Sequence, residues 1–178
     1  MIRADVFFVF FIILFGFFGA SRGWVREVLA GFSMIFTLFV YSQPEFARVL
    51  QPFLQQEDKL LRFIFQSFVF LLIAFFGYLG PAVAQQRLWD RSNVERRLEG
   101  SLLAFILGAF NGYLLLSTLL YWALQTELLG SLPQIFQPPQ EGWDKFFFVQ
   151  NAAPVVFSGA TLILVLVAVV IFIIIALV

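Results

Sequence analysis

The chain has no cysteine and no histidine. Without cysteine there is neither a disulfide framework nor thiolate chemistry. Without histidine it lacks the commonest metal ligand, the commonest general base and the usual axial ligand to haem. Charge is scarce as well. Only 12% of the 178 residues are Asp, Glu, Lys or Arg, and 11 bases balance 11 acids. A nucleic-acid partner calls for a basic surplus, so that class is set aside. No Walker-type loop, Gly-x-Ser-x-Gly, His-Glu-x-x-His or Cys-x-x-Cys is present. No motif brings two carboxylates together in an apolar setting, and the reading is of a protein that is not an enzyme and carries no cofactor or metal.

What the chain has instead is apolar length. Hydrophobic residues make up 61% and phenylalanine alone contributes 26. A soluble domain is nearer half apolar and a quarter charged. The excess sits in five runs: Val6–Ala20, Val28–Tyr41, Phe63–Ala84, Ser101–Leu124 and Val156–Val178. The last three have the ~20 residues needed to cross a ~30 Å hydrocarbon layer at about 1.5 Å per residue. The expected fold class is an all-α membrane protein: four core helices in 1–124, a Pro- and aromatic-rich outer loop at 125–155, and a fifth transmembrane helix at 156–178. The start, Met1-Ile2-Arg3-Ala4-Asp5, reads as the beginning of a retained span, because Asp5 stands where a cleaved signal wants positive charge only. At the other end, a span closing on a terminal carboxylate and a chain continuing past Val178 both fit.

The first two runs are short, about 14 or 15 residues each, and meet at Ser21-Arg22-Gly23-Trp24-Val25-Arg26-Glu27. They read either as two spans extended by snorkelling Arg and interfacial Trp24 or as a re-entrant hairpin. With five spans, Arg22, Arg26, Arg87, Arg91, Arg96 and Arg97 share one side, concentrated in two short connections. Arg3, Arg48, Lys59, Arg62 and Lys145 share the other. The positive-inside rule then places 21–27 and 85–100 in the cytoplasm and the N-terminus outside.

Between runs two and three, Phe46, Val49, Leu50, Phe53 and Leu54 recur at helical spacing. They predict an amphipathic helix on the membrane surface, with Pro52 near its weak end. In 125–155, Pro133, Pro138, Pro139 and Pro154 forbid a long helix, and Trp143 with Phe146, Phe147 and Phe148 suggests a loop resting in the interface. Ser92-Asn93-Val94-Glu95 forms a capping box that starts the fourth helix ahead of its apolar run.

Several residues are candidates for function. Gly100, Ala104, Gly108 and Gly112 stand four apart, a stripe that lets another helix approach closely. Gly16/Ala20 and Gly19/Gly23 are a lesser version. The stripe serves either packing within the chain or an interface to a second copy or another membrane protein. Asn111 falls in the same helix and calls for an interhelical hydrogen-bond partner; its other reading, part of a polar path, has little support beyond Gln66 and scattered Ser and Thr. Asp5 is either solvated at the outer interface or paired with a base. Arg22 and Arg26, four apart, would share a helix face and clamp an anionic lipid headgroup, or serve as topology anchors.

Asp5, followed by Gly19-Ala20-Ser21-Arg22-Gly23-Trp24-Val25-Arg26-Glu27 and then by Gly108-Ala109-Phe110-Asn111-Gly112, resembles the colicin V production protein (CvpA-like) family of bacterial inner-membrane proteins. The likeness covers about residues 3–122. The family's Asp-Arg pair before the stripe and the base before its last Gly are replaced here by Gly100-Ser101 and Asn111. The resemblance implies a four-helix core in the inner membrane, a role in envelope homeostasis or export support, and lipids, other membrane proteins or further copies of the chain as partners. A structural accessory subunit of a larger respiratory or photosynthetic complex is the alternative, and an oligomeric channel or transporter component the next.

Overall fold

A computed structural model describes residues 2–54, 57–84, 95–128, 136–137, 142–143 and 145–177. These residues are almost entirely helical. In chain order they form β1 (Ile2–Arg3), α1 (Ala4–Arg22), α2 (Trp24–Ser42), α3 (Pro44–Leu54), α4 (Lys59–Ala84), α5 (Glu95–Gln125), β2 (Phe136–Gln137), α6 (Phe147–Gln150), α7 (Ala153–Val156) and α8 (Gly159–Leu177). The two short strands pair in parallel, Ile2 with Phe136 and Arg3 with Gln137.

By length and composition, α1, α2, the Lys59–Gly77 part of α4 and the Gly100–Gln125 part of α5 can each cross a membrane. A fifth crossing requires counting 147–156 and 159–171 as one span, although they meet at a 72° bend. Arg87, Arg91, Ser92 of the capping box, Pro133, Pro138 and Pro139 lie outside the described residues.

The first two helices are longer than their apolar runs. Each has 19 residues, about 28 Å at ~1.5 Å per residue. The extension comes from a single-residue joint. Gly23 has φ 96° and ψ 146°, a backbone that side chains resist. Its N–H closes α1 by donating to the Gly19 carbonyl at 3.0 Å, and its carbonyl accepts from Glu27 N–H in the first turn of α2. The expected connection 21–27 therefore shrinks to one glycine, with Arg22 ending α1 and Arg26 inside α2. The shared helix face proposed for Arg22 and Arg26 does not exist, because the helix reverses between them.

α2 lies at the centre, against α5, α4 and α8. The α2–α5 direction is parallel, with Glu27 beside Asn111 at one end and Tyr41 beside Trp122 (ring centres 5.2 Å apart) at the other. α4 runs antiparallel to α2: the Tyr41 hydroxyl donates to the Gln66 carbonyl at 3.1 Å, and Gly77 sits against Ser33 and Leu29. α1 runs antiparallel to α5, Gly19 meeting Gly108 and Phe15 meeting Gly112. The core holds Met34, Ile35 and Leu38 of α2, Phe70 and Ala74 of α4, Leu114 and Trp122 of α5, and Leu162 of α8.

The outside of the bundle is unusually apolar. Val6, Phe10 and Phe17 of α1, Ile64, Phe68, Phe75 and Phe76 of α4, and Ile163, Leu164 and Val167 of α8 are all exposed. A soluble monomer rarely shows apolar patches beyond a few hundred Å², whereas lipid covers such faces at no cost. This supports a membrane protein.

The surface helix forms as α3, with Pro44 in its first turn, where the missing N–H costs nothing. Part of its apolar face docks on the protein itself. Phe46 meets the Tyr41 ring, Phe53 stacks on Phe65 at 4.3 Å while staying partly exposed, and Leu50 is buried, leaving Val49 exposed. The second aromatic segment departs further from expectation. Phe146 and Phe148 pack on Phe8, and the Trp143 ring packs on Phe146. Together with Ala4 and Leu120 they close the α3 end of the α1–α5 pair; only Phe147 of the group is exposed. The segment after it is tied to α5 by the Tyr113 hydroxyl, which donates to the Asn151 carbonyl, and by the Ala153 N–H, which donates to Ser117 Oγ.

Candidate functional site: a buried polar junction and a glycine seam

The sequence candidates converge near the hairpin end of the bundle, where α1, α2 and α5 meet. Glu27, one turn into α2, is 2% exposed, and Asn111 of α5 is 1% exposed. The Asn111 amide nitrogen donates to the Glu27 carboxylate Oε2 and to the Glu27 main-chain carbonyl, both at 2.8 Å. One side-chain amide thus satisfies two acceptors 84 residues away in the chain. An acceptor left bare here would carry its desolvation penalty, about 1–3 kcal/mol.

Gly31 makes this arrangement possible. It lies one turn after Glu27 on the same face, and a Cβ there would stand 2.6 Å from Asn111 Oδ1. Any larger residue pushes the amide away from Glu27. Gly31 was not among the residues singled out from the sequence. The only signal was its spacing, four after an acidic residue in an otherwise apolar run.

The glycine stripe lies beside this junction and is filled within the chain. A Cβ on Gly108 would lie 2.5 Å from the Phe15 carbonyl oxygen and 2.8 Å from Gly19 Cα, and one on Gly19 would lie 2.8 Å from Gly108 Cα. Here backbone meets backbone, with nothing soft to yield. Ala104 is fully buried. Gly112 faces the Phe15 ring, Gly16 faces the Phe105 ring, and a Cβ on Gly100 would lie 3.7 Å from Trp24 Cδ1. Of the two uses expected for the stripe, α1 takes the first. Ala104 and Gly108 are covered by it and present no open surface to a second copy.

Of the remaining candidates, Asp5 lies away from the junction. Asp5 is half exposed at the start of α1 and forms an ion pair with Arg3 at 2.7 Å. Arg22 is exposed and Arg26 partly buried, on successive helices. Among the described residues no group of three or more acids could hold a metal ion.

Chemically, the junction offers a buried carboxylate that accepts from a neutral amide. That suits fixing two helices in register. No family model, no curated protein and no solved structure matches the chain.

Proposed function

We propose that this chain is a non-enzymatic, multi-pass protein of the bacterial inner membrane, of CvpA type, that supports envelope homeostasis or export by associating with other membrane proteins or with copies of itself. One observation carries the reading. The two separate stretches on which the family resemblance rests, Gly19–Glu27 and Gly108–Gly112, pack on each other, Gly19 on Gly108 and Glu27 on Asn111. Gly19 and Gly108 both carry the resemblance, and their contact joins its two stretches; Asn111, which stands where the family has a base, adds a contact particular to this chain.

In this reading the seam builds the fold and the association surface lies elsewhere. The faces available to a partner are the apolar ones of α4 and α8, where Phe68, Phe75, Phe76, Leu164 and Val167 stand exposed. The N-terminus lies outside, and the joint at Gly23 and the 85–100 connection lie in the cytoplasm. α8 supplies a fifth crossing.

The test is purification from native membranes in mild detergent, with mass determination of everything that accompanies the chain. Recovery as a homo-oligomer, or with varied export or envelope proteins, supports the CvpA-type reading. A fixed set of other subunits in constant ratio replaces it with an accessory subunit of a larger complex, the alternative favoured by the Phe-rich outer face of α4. A strict monomer in both detergent and lipid removes association altogether.

A further inference from the structure

α8 joins the rest of the chain at an open break. The helical stretches 147–156 and 159–171 meet at 72°. Ahead of the break the chain is pinned. Ala152 and Ala153 are fully buried, and the Ala153 N–H donates to Ser117 Oγ at 3.1 Å. Ser158 turns back, its hydroxyl donating to the Val155 carbonyl at 3.0 Å. Gly159 then takes φ 55°, a left-handed backbone that a Cβ resists, and nothing lies within 4 Å of where that Cβ would stand. Ser158, Gly159, Ala160 and Thr161 are all exposed. The first N–H groups of a helix have no partner within it, and those of Gly159, Ala160 and Thr161 meet no acceptor among the described residues.

Beyond the break, α8 packs chiefly on α2. Leu162 enters the core, and Val165 and Leu166 lie against it. Ile163, Leu164, Val167 and Ile171 stand exposed. A helix of 19 residues is thus held by one narrow stripe.

The depth of the break follows from α5. Trp24 stands beside Gly100, and Tyr41 packs on Trp122. Tyr and Trp gather where headgroups meet hydrocarbon, and Gly100 to Trp122 measures ~33 Å along the helix at about 1.5 Å per residue, the thickness of a hydrocarbon layer. Phe110 lies roughly halfway between these marks. The Phe157 ring packs on it, centres 6.3 Å apart, so the break falls near the middle of the membrane. Irregular backbone exposed to lipid does not persist there, because hydrocarbon offers no acceptor.

Turning Gly159 to the right-handed conformation removes the fault. The three N–H groups then reach the carbonyls of Val155, Val156 and Phe157 one turn back, and Ala153–Leu177 becomes one helix of ~37 Å, long enough to cross. Because α7 is pinned to α5, α8 must swing off α2. The contacts that Leu162 gives up are replaced by lipid tails, which are as apolar as leucine.

We propose that Ser158–Gly159 is a hinge and α8 a hinged arm with two positions. It docks on α2 when water reaches the break. In lipid it straightens with α7, leaves α2 and spans the membrane. The inference deepens the membrane reading, in which α8 supplies the fifth crossing, and does not depend on association.

The chain has no cysteine, so spin labels can be placed on Phe147→Cys and Ile174→Cys, both at exposed positions. Distances within one chain are measured by electron–electron double resonance, with labelled protein diluted in unlabelled, in lipid nanodiscs and in mild detergent. Straightening two arms of about 18 and 22 Å from 72° should lengthen the distance by roughly 5–10 Å. The long distance is expected in nanodiscs and the short one in detergent. Gly159→Ala has room for its methyl but disfavours the left-handed backbone, and in detergent should shift the ratio toward the long distance about fivefold to thirtyfold. Gly159→Asn, which tolerates that backbone, should shift it less. Leu162→Ala, which weakens docking alone, should shift it the same way. A short distance that persists in nanodiscs, or Ala and Asn variants that behave alike, would overturn the proposal. A chain that fails to enter nanodiscs at all defeats the membrane reading, and the hinge with it.

Discussion

One helix, α5, makes two very different contacts. Against α1 it presents Ala104 and Gly108, and main chain lies on main chain. Against α4 it presents Leu115 and Trp122, and the helices stand apart over a groove. Small residues let helices associate in lipid through close van der Waals contact, where no hydrophobic force drives them together. Large side chains hold helices apart and, when they do not interlock fully, leave room for a third body. The first contact is unforgiving and the second tolerant, and substitution on a single helix separates the two.

The largest effect is expected at the seam. Gly108→Leu places a branched side chain where a Cβ alone would meet Phe15 O at 2.5 Å. Backbone cannot yield as a side chain does, so the loss should be about 3 kcal/mol or more, the upper part of the range for overpacking. Gly112→Ala tests the reason. Its Cβ would meet Phe15 Cβ at 2.7 Å and the first ring carbon at 2.9 Å, a single added methyl against the root of a side chain rather than against main chain, and should cost less, nearer 1 kcal/mol. Melting in detergent, followed by circular dichroism, measures both. Equal losses would mean that Gly108 is not special. On the tolerant side, Leu115→Ala should cost no more than about 1 kcal/mol, because it widens a space that is already open.

The next effect sharpens the seam from its polar side. Asn111→Leu strips the amide from both Glu27 acceptors and should cost about 1–3 kcal/mol. Gly31→Ala should reproduce much of that loss with every polar group still present, since its Cβ would stand 2.6 Å from Asn111 Oδ1. If the mechanism is right, the double variant costs little more than Asn111→Leu alone. Additive losses would show that Gly31 acts through something other than the amide.

These residues also mark how far the sequence could be read. The helices were legible because apolar runs of membrane length leave few alternatives, and the stripe was legible because glycine four apart is a pattern in one helix. The start of α2 was not. Arg26 and Glu27 look like a polar connection, and what draws Glu27 into the bundle is an amide 84 positions away. Likewise, the stripe predicted a close neighbour but not its identity, since α1 and a second copy satisfy the same spacing. The aromatic segment at 143–148 reads as interfacial by composition, and only the position of Phe8 shows that the rings have a protein surface to cover. Residues 85–94, with Arg87, Arg91 and Ser92 of the capping box, lie outside the described residues, so the basic cluster of that connection enters only as an expectation about topology.

The smallest effect belongs to the ionic tie that joins α4 and α5 at their α3 ends. Lys59 and Glu127 form an ion pair there, and both are exposed. The hydrogen bond from Lys59, helped by its charge and by that of Arg62, holds the Glu127 carboxyl below its usual range. A carboxylate with a lowered folded pKa stabilises above its unfolded pKa. The contribution is therefore present in full at neutral pH and fades as pH falls through the lowered folded value. Exposed pairs are weak and screened by salt, so Glu127→Gln should lower the melting temperature only slightly at neutral pH and low salt. The difference from the parent should vanish in acid or high salt. A Glu127→Gln effect as large as that of Gly112→Ala, or one indifferent to salt, would mean that the α4–α5 gap is held closed by this tie. The gap would then be no more tolerant than the seam, and the contrast between the two faces of α5 would fail.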